Sequence, residues 1–297
     1  MNRKAHHIIL LFILLFPAHF LLAYLPSAQF LTLPYSAKGT ALGETEAALP
    51  SLTATLYNPA ALRVKGLQLN LSYTRHFADA NLYTVIIGKE LGKFNLACLT
   101  KTFVIPGIEK RKTPTDEPLM TFSSNHFQLG FTSSYFPKSW LSFGASFSFI
   151  FEDIDYYQTQ GYLYGLGFLA RQSLFSFGGS IVNAGSIKEE GIKYKAPQTY
   201  NLMASLKVPV EIKGSSPTFL VAAVKPDYTN LRMKFGLTYL KSPFEFLVGY
   251  TTGEDSKNLS FGFSLLLKSF ELSYATVPYT NSLGWNHTIS LELRMKN

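Results

Sequence analysis

The chain has 297 residues, a formal net charge of +8, one cysteine, and aromatic and charged fractions of 15% each. About a quarter of the residues in a typical soluble domain are charged, so this composition argues against an ordinary soluble domain. Cys98 is alone, which excludes an intramolecular disulfide framework and a thiolate metal site. Basic residues are scattered apart from Lys110-Arg111-Lys112, so the basic stripe of a nucleic-acid-binding protein is missing.

The start of the chain has the layout of a secretory signal peptide. Arg3-Lys4 precedes an apolar run that begins at Ile8, and small residues follow this run up to Ala28. A basic start, an apolar middle and small residues at the cut are the three parts of such a signal. We predict a signal peptide over residues 1–28; cleavage after Ala23 and an uncleaved membrane anchor are the alternatives. Nothing later in the chain approaches the roughly 20 apolar residues of a membrane-spanning helix.

The next segment, residues 29–64, is rich in Gly, Ala and Thr and does not alternate between apolar and polar residues. It is too short and polar for a domain, but its size suits a plug folded into the lumen of a barrel. Asn58-Pro59 is a turn-forming pair, and proline fits the first position of a short helix. A loose periplasmic leader is the alternative.

From Lys65 onward the chain is a row of strand-length segments, many of which alternate between apolar and polar residues. Alternation sends a bulky apolar set to one face of a sheet and mostly Gly, Ser, Thr and charged residues to the other. There are fourteen segments, at about 65–77, 80–90, 93–103, 122–136, 139–153, 156–171, 174–183, 196–209, 217–225, 231–241, 244–252, 258–267, 269–278 and 285–295. The even number predicts an all-β transmembrane antiparallel barrel of about 14 strands over residues 65–297. A soluble sandwich is the alternative.

The lengths of the connections also alternate. Those after even-numbered segments are mostly tight, such as Leu91-Gly92 and Ser242-Pro243, and those after odd-numbered segments are often longer. Short periplasmic turns and long outer loops produce this rule, whereas a sandwich does not. The longest connection, Val104–Thr121, contains three prolines. We predict that it is an irregular outer loop rather than an extension of the strands.

The polar face of the segments predicts the lining of the lumen. Several segments place small residues there: Ser142, Gly144, Ser146, Gly165, Gly167, Ser176, Gly178, Ser180, Gly262 and Ser264. Later segments carry charge, and the predicted lumen charges are Lys207, Arg232, Lys234, Glu245, Glu271, Glu292 and Arg294. Small side chains leave room for a plug or a narrow ligand path, and charges of both signs can hold a plug by hydrogen bonds.

No catalytic constellation is predicted. His126 follows Ser123 and Ser124, but serine is common throughout the chain, and a barrel phospholipase needs an oriented Ser–His pair on the outer face. Glu152-Asp153 and Asp155 fall at the predicted rim of the barrel. We interpret them as part of a solvated loop. We expect no enzymatic activity, no cofactor and no bound metal ion.

Both ends of the chain carry a resemblance to a known family. The N-terminal stretches are Gln29-Phe30-Leu31, Ala37–Gly43 and Thr55–Leu62, and the C-terminal ones are Leu259–Leu267, Phe270–Ala275 and His287–Leu291. They resemble the PorV/PorQ family, which belongs to the FadL-like group of outer-membrane barrels. The family typically opens with a Gly-rich stretch that leads to a Tyr/Trp-Asn-Pro-Ala-Gly-Leu motif. The resemblance therefore implies that the motif residues of the predicted plug, or hatch, are Gly39, Gly43, Tyr57, Asn58, Pro59 and Ala60.

The resemblance implies two roles for a barrel in the bacterial outer membrane. The main one is a part in type IX-like protein secretion or envelope organisation, by binding secretion-system proteins or exported cargo. The alternative is FadL-like transport of hydrophobic small molecules. Outer-membrane lipid is a partner in either case, and nucleic acid is a partner in neither.

Overall fold

The structure, a computed structural model, describes residues 28–114, 117–189, 191–211, 215–254 and 256–295. Of the predicted signal peptide, only Ala28 lies within the described residues. The strands are β1 (Leu67–Arg75), β2 (Asn81–Leu91), β3 (Phe94–Lys110), β4 (Met120–Lys138), β5 (Leu141–Ile154), β6 (Tyr157–Arg171), β7 (Phe175–Glu189), β8 (Ile192–Lys195), β9 (Thr199–Lys207), β10 (Thr218–Pro226), β11 (Arg232–Lys241), β12 (Phe244–Thr251), β13 (Leu259–Leu266), β14 (Phe270–Pro278) and β15 (Trp285–Met295).

The strands form one closed antiparallel barrel. Each pairs with its neighbours in the chain, apart from β8, and β15 pairs with β1 to close the ring. The short β8 pairs with residues 186–189 of β7, and β9 pairs with residues 175–182 of the same strand. The wall therefore has fourteen strands with one extra strand, and the predicted barrel and its strand count are confirmed.

The alternation of the sequence sets the two faces of the wall. In β1, Leu71 and Tyr73 point outward and are exposed, whereas Ser72 and Thr74 point inward and are buried. The other strands largely repeat this division. An apolar outer face and a polar inner face are what a barrel in lipid requires.

Small hydroxyl side chains join the first and last strands inside the barrel. Ser72 Oγ lies 2.7 Å from Ser290 Oγ, and Thr74 Oγ1 lies 2.9 Å from Thr288 Oγ1. These hydrogen bonds add side-chain contacts to the backbone ladder that runs from Leu67–Met295 to Arg75–His287. The closing seam is thus bonded along the whole length of β1.

The segment before β1 folds into short helical turns inside the ring. The helix α1 (Ala37–Ala41) begins at Ser36, whose Oγ accepts a hydrogen bond from the Gly39 N–H at 3.0 Å. Single 3₁₀ turns occupy Gln29–Thr32, Glu46–Ala48, Thr53–Leu56 and Pro59–Ala61. Within the described residues, no helix has the length and apolar character needed to cross a membrane.

The connections define two ends of the barrel. The turns β2–β3, β4–β5, β6–β7, β11–β12 and β13–β14 are tight and lie at one end, here called the short-turn end. The other end, the long-loop end, differs from the sequence prediction. Instead of forming an irregular loop from Val104 to Thr121, β3 runs to Lys110 and β4 begins at Met120. The proline at 106 is tolerated because the ladder shifts register between Ile105 and Ile108, where no backbone donor is required.

A second irregularity interrupts β7. Tyr164 pairs with Ala184, but the next pairing joins Leu166 to Ile181, so β7 contains an extra residue. Asn183 has a φ of 55°, in the left-handed region. The outer part of β7 then pairs with β8 instead of β9. This bulge bends the wall on the side of the barrel where the inward residues are small.

Candidate functional site

Of the predicted motif residues, Tyr57 and Asn58 lie against the inner wall of β6, β7 and β9. The Asn58 amide donates to the carbonyl of Phe168 at 3.2 Å, and its Oδ1 accepts from the Ala60 N–H at 3.0 Å. The carbonyl of Tyr57 accepts hydrogen bonds from Ser180 Oγ at 2.6 Å and from the Asn201 amide at 3.2 Å. Asn58 therefore caps its own helical turn and fastens that turn to the barrel.

Pro59 and Ala60 approach the wall of β5 without intervening side chains. A Cβ atom on Gly144 would collide with the backbone of Pro59 and Ala60, so only glycine fits there. Ser142 Oγ, on the same face of β5, donates to the carbonyl of Ala60 at 2.7 Å. Ser134 Oγ on β4 donates to the carbonyl of Leu62, also at 2.7 Å. The small inward residues thus leave space for the backbone of this segment and donate hydrogen bonds to its carbonyls.

The two motif glycines lie on the opposite side, near α1. A Cβ atom on Gly39 would stand 2.7 Å from the Tyr57 hydroxyl, so the absence of a side chain lets α1 pack on Tyr57. Gly43 lies against the backbone of Gly249 on β12. Segment 28–66, hereafter the luminal segment, is therefore in contact with both sides of the wall.

A first group of charges joins α1 to β12, β14 and β15. Lys38 Nζ lies 3.0 Å from Glu245 Oε2 and 2.6 Å from Glu271 Oε1. Arg294 pairs with Glu271 and, at 3.0 Å, with Glu292. Burial lowers the pKa of Lys38, but the attraction of Glu245 and Glu271 is stronger, and the net pKa is raised. Lys38 therefore remains charged at neutral pH.

A second group joins the luminal segment to β11 and the β12–β13 loop. Glu44 pairs with Lys234 at 2.7 Å and with Lys257 at 3.6 Å. Lys257 also pairs with Glu254 at 3.4 Å, and Glu254 pairs with Arg232 at 2.8 Å. Burial raises the pKa of Glu44, but Lys234 and Lys257 outweigh this effect, and its net pKa is lowered.

Six of the seven predicted lumen charges therefore belong to these two groups. Lys207 does not: it lies exposed at the end of β9, because the wall ends there and the side chain reaches solvent. Lys38, Glu44 and Lys257 were not predicted. They lie outside the strands, where the alternation of the sequence carries no information about direction.

A cavity of about 300 Å³ lies in the lumen between the luminal segment and the outer half of the wall. Its apolar lining comes from both: Leu31, Leu33, Leu56, Phe77, Val182 and Val224. Its other wall is formed by the second charge group, whose members are paired with one another. The cavity also reaches Asn183, at the bulge in β7.

A buried lysine fixes the start of the luminal segment beside this cavity. Lys101 on β3 is 1% exposed, and its Nζ donates to the carbonyls of Phe30 at 2.7 Å and Leu33 at 3.0 Å. The Nζ also lies 5.5 Å from the centre of the Tyr35 ring. None of the ion pairs found among the described residues involves Lys101. Because its strand alternates poorly, no sequence pattern indicates that this lysine points inward.

The structure also adds a carboxylate to the Ser124 and His126 that lie close together in the sequence. Ser124 Oγ lies 2.8 Å from His126 Nε2, and His126 Nδ1 lies 2.7 Å from Glu152 Oε1. The order serine, histidine, carboxylate is that of hydrolase triads. All three side chains are buried, however, and the Phe30 ring lies 5.2 Å from the imidazole. None of the three lines the cavity.

Metal binding has no support in the described part of the chain. No group of three or more His, Cys, Asp or Glu side chains there is arranged to hold a metal ion.

Comparison with known proteins gives a match at the level of structure. No protein-family model and no curated protein matches the chain. The P. putida toluene transporter TodX is 12% identical with a TM-score of 0.62, over 89% of this chain and 99% of TodX. The Ralstonia pickettii toluene transporter TbuX is 13% identical with a TM-score of 0.60, over 88% and 98%. CymD, a monoaromatic hydrocarbon channel, is 13% identical with a TM-score of 0.58, over 89% and 98%.

The fold and these neighbours define the class. The chain is a 14-strand β-barrel of the bacterial outer membrane. At identities this low the likeness concerns the fold alone. None of the matches supports the resemblance to the PorV/PorQ family.

Proposed function

We propose that this protein lets hydrophobic small molecules cross the outer membrane. The observation that carries the proposal is the luminal cavity of about 300 Å³ with its partly apolar lining. Cavities of this size hold small ligands. The structural neighbours, which are toluene transporters and a monoaromatic hydrocarbon channel, agree with this ligand class.

The lining favours a small apolar molecule. An apolar ligand packed against its aliphatic and aromatic side chains is stabilised by about 25 cal/mol for each Å² of apolar surface removed from water. The charges on the opposite wall are already paired, so they do not need a charged ligand to neutralise them. Residues Leu31–Tyr35 bound the cavity, and Lys101 holds them in place.

The route out of the cavity runs, in this proposal, toward the bulge in β7. Asn183 at the bulge lines the cavity. Asn201 on β9 lines both the cavity and an apolar notch of about 390 Å³ on the outer surface, which is formed mainly by β6, β7 and β9. Every described strand of the wall is paired on both sides apart from β8. Passage through the wall would therefore require the β7 pairing to loosen.

The two other functions considered have less support. A part in type IX-like secretion stays a prediction from the resemblance alone. For Ser124, His126 and Glu152 we propose a packing role beneath Phe30 rather than catalysis, since they are buried and lie outside the cavity lining.

Filling the cavity tests the proposal. In Val224→Trp the indole occupies the cavity, so we expect uptake of labelled toluene into proteoliposomes to fall to the level of empty vesicles. The matched control is Val248→Trp on β12, where the side chain faces outward and is 38% exposed. That variant should transport like the unaltered protein.

The outcome that counts against the proposal is equally definite. If the unaltered barrel admits toluene no faster than empty vesicles, or if Val224→Trp leaves uptake unchanged, the cavity is not a transport site. Heat-modifiable migration in gels should show that both variants are folded.

A further inference from the structure

The short-turn end of the barrel carries a ring of basic side chains. Each of the tight turns there has at least one, and others lie at the start of β1 and the end of β9. Its exposed members are Lys65, Lys89, Lys93, Lys138, Lys207, Lys241 and Lys268, and its half-buried members are Arg63 and Arg171. The ring continues around the whole circumference, because these turns join successive strands of a closed barrel.

Acidic side chains do not neutralise this basic ring. None of the ion pairs found among the described residues includes a member of the ring. The described carboxylates exposed at this end are Glu90 and Glu211. Glu245 and Glu271 face the lumen, where Lys38 already engages them. The ring therefore presents a net positive charge to whatever surrounds this end.

The opposite end differs. Basic residues at the long-loop end are largely paired with acids, as in Arg75–Asp79 at 2.9 Å and Lys195–Asp227 at 2.6 Å. Exposed lysines with no ion pair among the described residues, such as Lys112 and Lys188, occur there too, but acidic residues such as Glu109 and Glu189 lie at the same end. The long-loop end therefore carries charges of both signs, whereas the short-turn end is mainly basic.

Two basic side chains of the ring lie over aromatic side chains at this end of the barrel. Lys138 Nζ stands 5.5 Å from the centre of the Trp140 ring, and the Arg63 guanidinium stands 5.0 Å from that of Phe136. Three turns repeat a short pattern in which Lys-Ser is followed by an aromatic residue: Lys138-Ser139-Trp140, Lys241-Ser242-Pro243-Phe244 and Lys268-Ser269-Phe270. These aromatic rings are exposed. Aromatic rings of this kind sit at the level of lipid headgroups in barrels.

We propose that the basic ring binds the headgroups of anionic phospholipids in the periplasmic leaflet. The short-turn end of such barrels faces the periplasm, and lysine near an anionic membrane surface is attracted to it. The arrangement favours lipid over a protein, because a protein partner would cover one sector, whereas lipid surrounds the entire barrel. This inference does not depend on what passes through the lumen.

The two tryptophans of the chain give a test at the two ends. Trp140 lies in the basic ring and Trp285 begins β15 at the long-loop end, and both are exposed. The protein is placed in bilayers with brominated phosphatidylglycerol or brominated phosphatidylcholine, which quench tryptophan on contact. In Trp285→Phe the remaining Trp140 should be quenched preferentially by phosphatidylglycerol, by about threefold in relative association, and less at high salt.

Two comparisons complete the test. In Trp140→Phe the remaining Trp285 should show no such preference, because basic and acidic residues both lie at that end. Adding Lys138→Gln and Arg171→Gln to the Trp285→Phe protein should abolish the preference at Trp140. Equal quenching of Trp140 by both lipids, or an equal preference at both ends, would overturn the proposal. The first comparison changes no charge, so it stands even if the charge variants fail to fold.

Discussion

Lys38 illustrates how single side chains hold the luminal segment. Its ammonium group is the shared partner of two carboxylates that lie on different strands, Glu245 and Glu271. Breaking a buried ion pair costs more than the pair contributes, because the remaining charge is left without a partner. Lys38 therefore helps to position α1, together with the hydrogen bonds that join Ala37 to Ser290 and Ala41 to Ser260.

Replacing this amine should loosen the segment. We expect Lys38→Met to lower the free energy of unfolding by about 2 kcal/mol or more, because Glu245 and Glu271 lose their cation. Chemical unfolding in detergent measures the difference. Lys188→Met, at an exposed lysine near the outer end of β7, is the control and should be close to neutral. Equal stability of both variants would show that the Lys38 pairs contribute little.

Close backbone packing at Ala60 gives a second prediction at this scale. Ala60 is 1% exposed and lies against Gly144, so a larger side chain has no space. We expect Ala60→Leu to cost about 1–3 kcal/mol or to displace the segment and raise the conductance in planar bilayers. The control is Ala145→Leu, which adds the same atoms on the exposed face of β5. Unchanged stability and conductance in Ala60→Leu would contradict this packing.

Sequence patterns predicted the kind of residue in the lumen but not its partners. His126 and Glu152 meet because the β4–β5 register pairs them directly, and register cannot be deduced from either strand alone. Lys101 was missed for a related reason: its partners are backbone carbonyls of the luminal segment, which have no sequence signature. In contrast, the six predicted lumen charges that meet in the two groups lie on strands, where the alternation of apolar and polar residues indicates which side chains point inward.

Among the elements, the luminal segment is the one whose attachment should depend on pH. The pKa of Glu44 is lowered in the folded protein from an ordinary value of 4.5. A carboxyl group of this kind stabilises the fold above its unfolded pKa, and this stabilisation is lost as the pH falls through the folded pKa. Glu46 has the opposite effect on the pH dependence of stability. Burial raises its pKa in the folded protein despite hydrogen bonds from Thr53 and Ser51.

A variant separates these two effects. We expect the unaltered protein to be more stable than Glu44→Gln at about pH 7. The difference should shrink as the pH falls below the ordinary glutamate value of 4.5 and vanish below the lowered pKa of Glu44 in the folded protein. Unfolding midpoints measured across this range for both proteins test the sign. If the difference persists at the lowest pH, Glu44 acts through packing rather than through its charge.

The strands themselves show where prediction from pattern succeeded. The tight turns and the alternation in segments such as β1 and β13 fixed the number of strands, because both are local properties. The β3–β4 hairpin was not predicted at its true length. Proline usually ends a paired strand, but a bulge accommodates Pro106 and lets the ladder resume at Ile108. A bulge depends on the partner strand and leaves little trace in one sequence.

At the scale of the whole molecule, the fold makes a prediction about topology. If the short-turn end is periplasmic, the β3–β4 hairpin projects outside the cell. In a Cys98→Ala background, Thr113→Cys should react with a membrane-impermeant thiol reagent on intact cells, whereas Ser269→Cys, in the β13–β14 turn, should not. Permeabilised cells provide the control, in which both should react. The reverse pattern would invert the barrel and place the basic ring outside.

The closing seam has a consequence for the order of assembly. The Ala37 N–H donates to Ser290 Oγ at 2.8 Å, on the strand that closes the ring. The luminal segment is therefore bonded to the strand that closes the ring. We expect α1 and the seam between β1 and β15 to become ordered together, because each supplies hydrogen bonds to the other.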